Sequence, residues 1–515
     1  MKEKVYLKTT NPIHLKVSMI RTHFSTLAAF SFFFLISLYG KNPTIHPDIE
    51  WADISMVVKQ SPDIKTGYLI VPENRSSKLN IRSIRLPFVI IKSRSESPQP
   101  DPIIYSAGGP GGVTLFRTRF FQNSPLRDSR DIILLEQRGT RFTEPALLGE
   151  ELDAALRSGW GTRLNGEPDP QAITDALTTI IHSIEKDGID LSGYTTKESA
   201  ADIADLRQLL GIKSWNLYGA SYGAKLMLVV LRDYPEGVRS VILDSVLPLE
   251  ANCDQETPAN ILEVLERIFV LCHEDENLSV CFPDLRERFY KLLTESNLRP
   301  VEITLKNPVN GESFLHRMDG AGIMNCIYAG LENTSVIPDI PVIIDAACRG
   351  EVNYLAPLAM DFLASSQGTA WGMRMAVWCN EEFPFEKLEK IIKPDGLPPE
   401  LEHFIQPQVP LEALQLWPHG QPEADENKPV RSLIPVLIAA GEFDPDTPVK
   451  WARRTASFLP NAQLVEFAGY SHVPLYSNPE AARIQREFLA NPLHPVKLGN
   501  TGKRPAFHLS RDDKK

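Results

Sequence analysis

Closely paired Cys-x-x-Cys ligands, paired histidines, internal repeats and any apolar run after residue 40 long enough to span a bilayer are all missing from this chain of 515 residues. The first two absences leave no zinc signature. The third excludes a repeat architecture, and the last leaves no later transmembrane segment. Basic charge is also scarce. Against 65 Asp and Glu there are 54 Lys and Arg, a formal net charge of −11, whereas chains that bind polyanions are basic. Nucleic acid and stable membrane insertion are therefore not expected, and cationic ligands are weakly favoured. What is present is ordinary for a soluble globular chain: 43% hydrophobic and 23% charged residues, and length for two or three domains or for one α/β domain with a long insertion.

Two features bear on compartment. Lys2, Lys4, Lys8, Lys16 and Arg21 precede the apolar Leu27–Gly40 stretch, a basic flank and short hydrophobic segment that read as a secretory signal over residues 1–40. Met19 is an alternative start, and an uncleaved interfacial anchor is the duller reading. An exported location, periplasmic or extracellular, is expected. All six cysteines fall between Cys253 and Cys379. In an exported chain an even number suggests up to three disulfides, with Cys272 and Cys281 able to close a short loop.

Along the chain, "TGYLIVPEN" and "IRLPFVIIKS" read as a hairpin, and "PIIYSA" and "DIILLEQRG" as buried parallel strands. The segment from Gly149 to Gly193 is polar and partly helical. In "YTTKESAADIADLRQLLG", Thr195 and Glu198 form a capping box and Gly211 a stop, which predicts a helix. The strand–helix–strand rhythm then runs through "SWNLYG", "AKLMLVVLRDYP" and "VRSVILDSV". It stops near Leu249 and resumes at "LIPVLIAAGEFD" and "NAQLVEFAGYSH". The expected organisation is a signal at 1–40, an α/β core over 41–250 and 430–497, a mainly helical insertion at 251–429 with every cysteine, and a solvated polar tail at 498–515.

The chemistry centres on Gly219-Ala220-Ser221-Tyr222-Gly223, a G-x-S-x-G between a predicted strand and a predicted helix. In that context the serine sits on a tight turn that lifts its hydroxyl above the sheet. A serine needs a base, and the base an orienting acid. The chain order Ser, acid, His is met by Asp444 in "GEFDPDTP" and His472 in "AGYSHVP", both just beyond strands. Asp446 competes for the acid role, and Asp244 in "VILDSV" reads as a structural carboxylate. The bare turn "SAGGPGG" has no lysine for a phosphate loop and no clear acidic partner for a dinucleotide loop. It fits instead the loop after an early strand that supplies one oxyanion-binding N–H, from Gly109 or Gly108, with Tyr222 supplying the other.

The run of motifs from "GYLIVPEN" through "SAGGPGG", "LLEQRGTRFTEP", "NLYGASYGAKL" and "LDSVLP" to "CHEDENLSVCFPD", "AVWCNEE", "GEFDPDTP" and "AGYSHVP" resembles the prolyl aminopeptidase family of α/β-hydrolases, in its secreted tripeptidyl-aminopeptidase-like branch. The resemblance covers nearly the whole mature chain. It implies an α/β fold, with an α/β-hydrolase core on a mostly parallel sheet and a large, mainly helical cap. It also implies hydrolysis at peptide N-termini by Ser221, Asp444 and His472. Ala107, Glu136 and Arg141 depart from the usual residues around the turn, which leaves backbone donors intact and puts substrate preference in question. An exopeptidase must compensate a buried substrate ammonium, and Glu381, then Glu382, in "WCNEE" are the candidates. No metal or organic cofactor is implied. The expected partner is a peptide or a small acyl substrate. Ester or amide cleavage by the same triad is the alternative, a catalytically silent binding module the less favoured one.

Overall fold

A computed structural model describes residues 45–55, 58–77, 82–307, 310–365, 367–497 and 507–509. The expected signal and most of the polar tail lie outside them. Eleven strands are seen among the described residues. These are β1 (Asp48–Trp51), β2 (Ile64–Pro72), β3 (Ser83–Ile91), β4 (Ile103–Ser106), β5 (Ile132–Leu135), β6 (Trp215–Ala220), β7 (Val238–Asp244), β8 (Val301–Lys306), β9 (Ser313–Met318), β10 (Val436–Gly441) and β11 (Ala462–Phe467). Nine of them form one sheet in the order β1-β2-β3-β5-β4-β6-β7-β10-β11. The edge β1-β2-β3 is antiparallel and joins β5 antiparallel. From β5 to β11 every pairing is parallel.

The central strands are buried on both faces. β4, β5, β6 and β10 have no exposed residue, which is why they read as continuous apolar runs without alternation. Parallel neighbours need crossovers, and helices supply them: α1 (Thr196–Leu209) leads into β6, α2 (Tyr222–Asp233) joins β6 to β7, and α5 (Val449–Ser457) joins β10 to β11. The Thr195 side chain accepts from Glu198 N–H at 3.1 Å and starts α1. The reciprocal half of the expected capping box is not made. Glu198 turns its carboxylate to Arg75, with its Oε1 3.0 Å from the Arg75 amide.

Between β7 and β10 the chain is mainly helical, beginning with α3 (Cys253–Glu274) and including α4 (Trp371–Val377). The antiparallel hairpin β8–β9 also lies here, which the sequence pattern did not suggest. Two apolar clusters hold this region. One joins α3 to Phe289, Ile327 and Ile344. The other packs Trp371, Met375 and Trp378 against Ile173, Leu177 and Ile180 of the helix Pro170–Lys186. The polar segment 149–193, placed in the core by sequence, thus shares a hydrophobic cluster with the insertion.

Two expectations are corrected. All six cysteines are free thiols, and Cys272 is buried in the α3 cluster while Cys281 is exposed, so the anticipated short disulfide loop is not closed. Part of the tail is not solvated: Phe507 packs on the same cluster, and His508 meets Asp339 Oδ1 at 2.7 Å and donates its amide to the Pro338 carbonyl at 2.9 Å. No helix among the described residues is long and apolar enough to cross a membrane.

Candidate active site

Parallel pairing from β5 to β11 sends the carboxyl ends of these strands to one edge. β6 ends at Ala220 and α2 begins at Tyr222, leaving Ser221 alone on the turn with φ 57° and ψ −125°. That conformation costs an L-residue about 1–3 kcal/mol and survives only where its surroundings enforce it. Ser221 N–H donates to the Asp244 carbonyl at 2.9 Å. Behind the serine a Cβ on Gly223 would run into the Ser106 carbonyl, so the second glycine of the motif lets α2 approach the end of β4.

The glycine turn follows β4 and lies against the serine. A Cβ on Gly108 would stand 2.7 Å from Ser221 Cβ and 3.1 Å from the Ala220 carbonyl. Gly108→Ala is therefore expected to slow acylation of Ser221 by a serine-reactive probe more than about tenfold, through displacement of the turn; an unchanged rate would show that the turn is not part of the site. Among the described residues the amides of Gly109 and Tyr222 donate to no backbone acceptor. Gln137 and Glu136 hold the two ends of the turn. Gln137 Nε2 donates to Ser106 Oγ at 2.8 Å and the Ala107 carbonyl at 2.9 Å. Glu136 accepts from Leu115 N–H at 2.9 Å and Thr140 Oγ1 at 2.7 Å, and burial pushes its carboxyl up to about 7. The larger acid at this position is thus spent on fixing the loop.

His472 follows β11, and its Nδ1 lies 2.9 Å from Asp444 Oδ2 and 3.1 Å from Oδ1. Asp444 is fully buried. Its Oδ1 accepts from the amides of Asp446 at 3.0 Å and Thr447 at 2.9 Å. Its Oδ2 accepts from Thr447 Oγ1 at 2.7 Å and Ser245 Oγ at 2.8 Å. Burial opposes the charge, but His472 and these donors outweigh it and hold the carboxyl below the usual carboxylate range. For His472 burial likewise opposes the cation, and Asp444, Asp446 and Glu332 outweigh it and raise the imidazole above its ordinary value. Asp446, the rival acid, instead accepts from Tyr328 OH at 2.6 Å. Asp244 has one oxygen 3.4 Å from Leu475 N–H and the other without a partner among the described residues; burial pushes it up to about 8. One atom each of Asp444, Asp446 and His472 lie within 4.8 Å of one another, close enough for a cation. The lone pairs of Asp444 are already taken by protein donors, so the group is built as a hydrogen-bonded one.

Glu381 and Glu382 are placed differently from the sequence expectation of a free amine site. Both are buried. Glu381 accepts from Thr196 N–H at the start of α1, and the Thr196 hydroxyl is 2.7 Å from Tyr222 OH. Glu382 is ion-paired with buried Lys225 of α2. The two carboxylates therefore anchor "WCNEE" on two helices, Glu381 at the start of α1 and Glu382 on α2, the helix that follows Ser221. Besides Asp444, an oxygen of Asp446 lies within 4.8 Å of the His472 ring nitrogen, and Glu332 is near enough to act on the imidazole electrostatically. Burial, reinforced by Asp446, pushes Glu332 well above the usual carboxylate range. Sequence reading missed Glu332, Thr447 and Ser245; only Thr447 carried a signal, as part of "GEFDPDTP".

Comparison with known proteins agrees with this architecture. Residues 101–277 match the family described as alpha/beta hydrolase fold, and residues 411–501 match that described as TAP-like protein. YuaR of Escherichia coli (strain K12) is 23% identical over 470 residues, 85% of this chain and 90% of its own. The tripeptidyl aminopeptidase of Streptomyces lividans is 27% identical over 222 residues, 40% of this chain and 41% of that enzyme. Serine protease Hip1 of Mycobacterium tuberculosis (strain CDC 1551 / Oshkosh) is 21% identical over 406 residues, 73% and 75% of the two chains. With its mostly parallel sheet, its strand–serine–helix turn and these two matches, the chain belongs to the α/β-hydrolase family, in the group with a TAP-like C-terminal part.

Proposed function

We propose that this chain is a serine hydrolase that releases residues from the N-termini of peptides through an acyl-enzyme. The observation that carries the reading is the His472–Asp444 pair at the same sheet edge as the strained Ser221 turn. His472 takes the proton of Ser221 Oγ as the oxygen attacks the carbonyl carbon, and Asp444 holds the imidazole in the matching tautomer. The amides of Gly109 and Tyr222 receive the developing oxyanion. Collapse breaks the C–N bond, the departing amine takes the proton from His472, and water releases the acyl group by the same steps in reverse order. Export of the chain belongs to the same reading and rests on the basic and apolar N-terminal stretch.

The relatives named as tripeptidyl aminopeptidase and serine protease support a peptide substrate. Because Glu381 and Glu382 are engaged with Thr196 and Lys225, the substrate ammonium is assigned here to Asp446 and Glu332 beside His472. Glu332→Gln is expected to raise KM about tenfold for peptides with a free N-terminus, whose ammonium favours the charged form of the otherwise raised Glu332 carboxyl on binding, and to leave N-terminally blocked substrates unchanged. A panel of free peptides, blocked peptides and small esters tests the whole reading. Blocked peptides turned over as fast as free ones would defeat the aminopeptidase assignment, and turnover of esters alone would make the chain an esterase.

A further inference from the structure

We infer that Ser245 is a positioning residue of the triad, acting through the Asp444 carboxylate and the main chain next to His472. The inference rests on the hydrolase reading above. Ser245 follows the last residue of β7 and is fully buried. Its φ is 57°, in the left-handed region where glycine is at ease and a residue with a Cβ is strained. A side chain is kept at a place where the backbone favours having none.

The contacts of that side chain explain why. Ser245 Oγ donates to Asp444 Oδ2 at 2.8 Å and accepts from Val473 N–H, the amide next to His472, at 2.8 Å. Its own N–H donates to the Ala439 carbonyl at 2.9 Å, in β10, the strand that leads to Asp444. One residue earlier, the Asp244 carbonyl accepts Ser221 N–H at 2.9 Å. Two consecutive residues at the end of β7 therefore touch all three turns that bear the triad. β7 lies between β6 and β10 in the sheet, so no other strand end adjoins both the serine turn and the acid turn.

The consequence is geometric. Asp444 Oδ2 is the oxygen nearer to His472 Nδ1, and among the described residues two other groups donate to it, Ser245 Oγ and Thr447 Oγ1. Without the Ser245 hydroxyl, the donors left to the carboxylate besides His472 all come from its own loop, the Asp446 and Thr447 amides and Thr447 Oγ1, and Val473 N–H loses its acceptor. The imidazole then loses its fixed orientation toward Ser221 although every triad residue is still present. A hydroxyl that merely stapled the Val473 loop would affect stability but would not act through Asp444.

Ser245→Gly separates these cases, because glycine suits the backbone and removes only the side chain. In the full chain, kcat is expected to fall about ten- to a hundredfold, the scale of a small misplacement of a catalytic group, with KM changed less than about twofold. The low-field proton resonance of His472 Nδ1 is expected to broaden or move upfield. Set against Asp444→Asn, the same substitution should cost less than about twofold further, because the group it serves is already lost. A wild-type rate and resonance in Ser245→Gly, or an equal fall in both backgrounds, would overturn the inference. Fluorophosphonate labelling of wild type keeps the two levels apart. An unlabelled wild type overturns the hydrolase reading and this inference with it, whereas a labelled wild type matched by Ser245→Gly overturns this inference alone.

Discussion

Ser221→Ala is expected to lower turnover by about 10⁴- to 10⁶-fold and to abolish labelling by a fluorophosphonate probe, with the protein still folded. The fold should survive because the turn is enforced from outside the side chain: the amide of residue 221 is bonded to the Asp244 carbonyl, and Gly108 and Gly223 supply the close approaches around it. Alanine meets the same strained φ and ψ as serine, so the substitution removes the nucleophile and little else. The residual rate would report the oxyanion donors and substrate positioning alone. Intact mass after labelling, with the modified peptide identified, is the direct measurement. A label retained at full stoichiometry in the variant would place the nucleophile at another residue.

The sheet was legible because its central strands are buried on both faces. Runs such as "PIIYSA" and "LIPVLIAA", short, apolar throughout and bounded by turn residues, read as strands buried in a parallel sheet. That Ser221, Asp444 and His472 sit just past strand ends was legible for a related reason: chain order and spacing are local facts. The hairpin β8–β9 was missed although "VEITLK" alternates residue by residue, because two six-residue strands are short signals inside a long stretch of helical periodicity. Glu381 and Glu382 show a different limit. Their spacing suggested a free acidic pair, but Thr196 lies 185 residues away and Lys225 lies 157, and no local pattern announces such partners. The cysteines make the same point: an even count invites pairing, while burial of Cys253, Cys272, Cys326 and Cys379 in apolar surroundings reflects packing. Ser245 was hidden most completely, since nothing in "LDSV" shows that its φ is positive or that its neighbours belong to two other turns.

Asp444→Asn is expected to lower kcat by about 10³- to 10⁴-fold, the loss seen when a buried acid no longer fixes the tautomer of its histidine. Asn can still accept from the Asp446 and Thr447 amides through its oxygen, so the loop keeps most of its bonds. Its amide nitrogen, however, is a donor, and it favours the tautomer with the Nδ1 lone pair facing residue 444. The proton then sits on the nitrogen that should receive it from Ser221. Charge changes in the same step. In the wild type Asp444 leads the groups that raise the His472 value, so the acid limb of kcat/KM should lie above the ordinary histidine range, with activity rising toward alkaline pH as the imidazole loses its proton. Removing the charge of Asp444 should move that limb to lower pH while the plateau falls. Asp446→Asn removes a secondary contributor, so it should shift the limb in the same direction by a smaller amount and leave the plateau within about tenfold of wild type. The two profiles, measured side by side, decide which carboxylate orients the base: a plateau lost in Asp446→Asn and kept in Asp444→Asn would transfer the role to Asp446, against the 2.9 Å contact between His472 Nδ1 and Asp444 Oδ2.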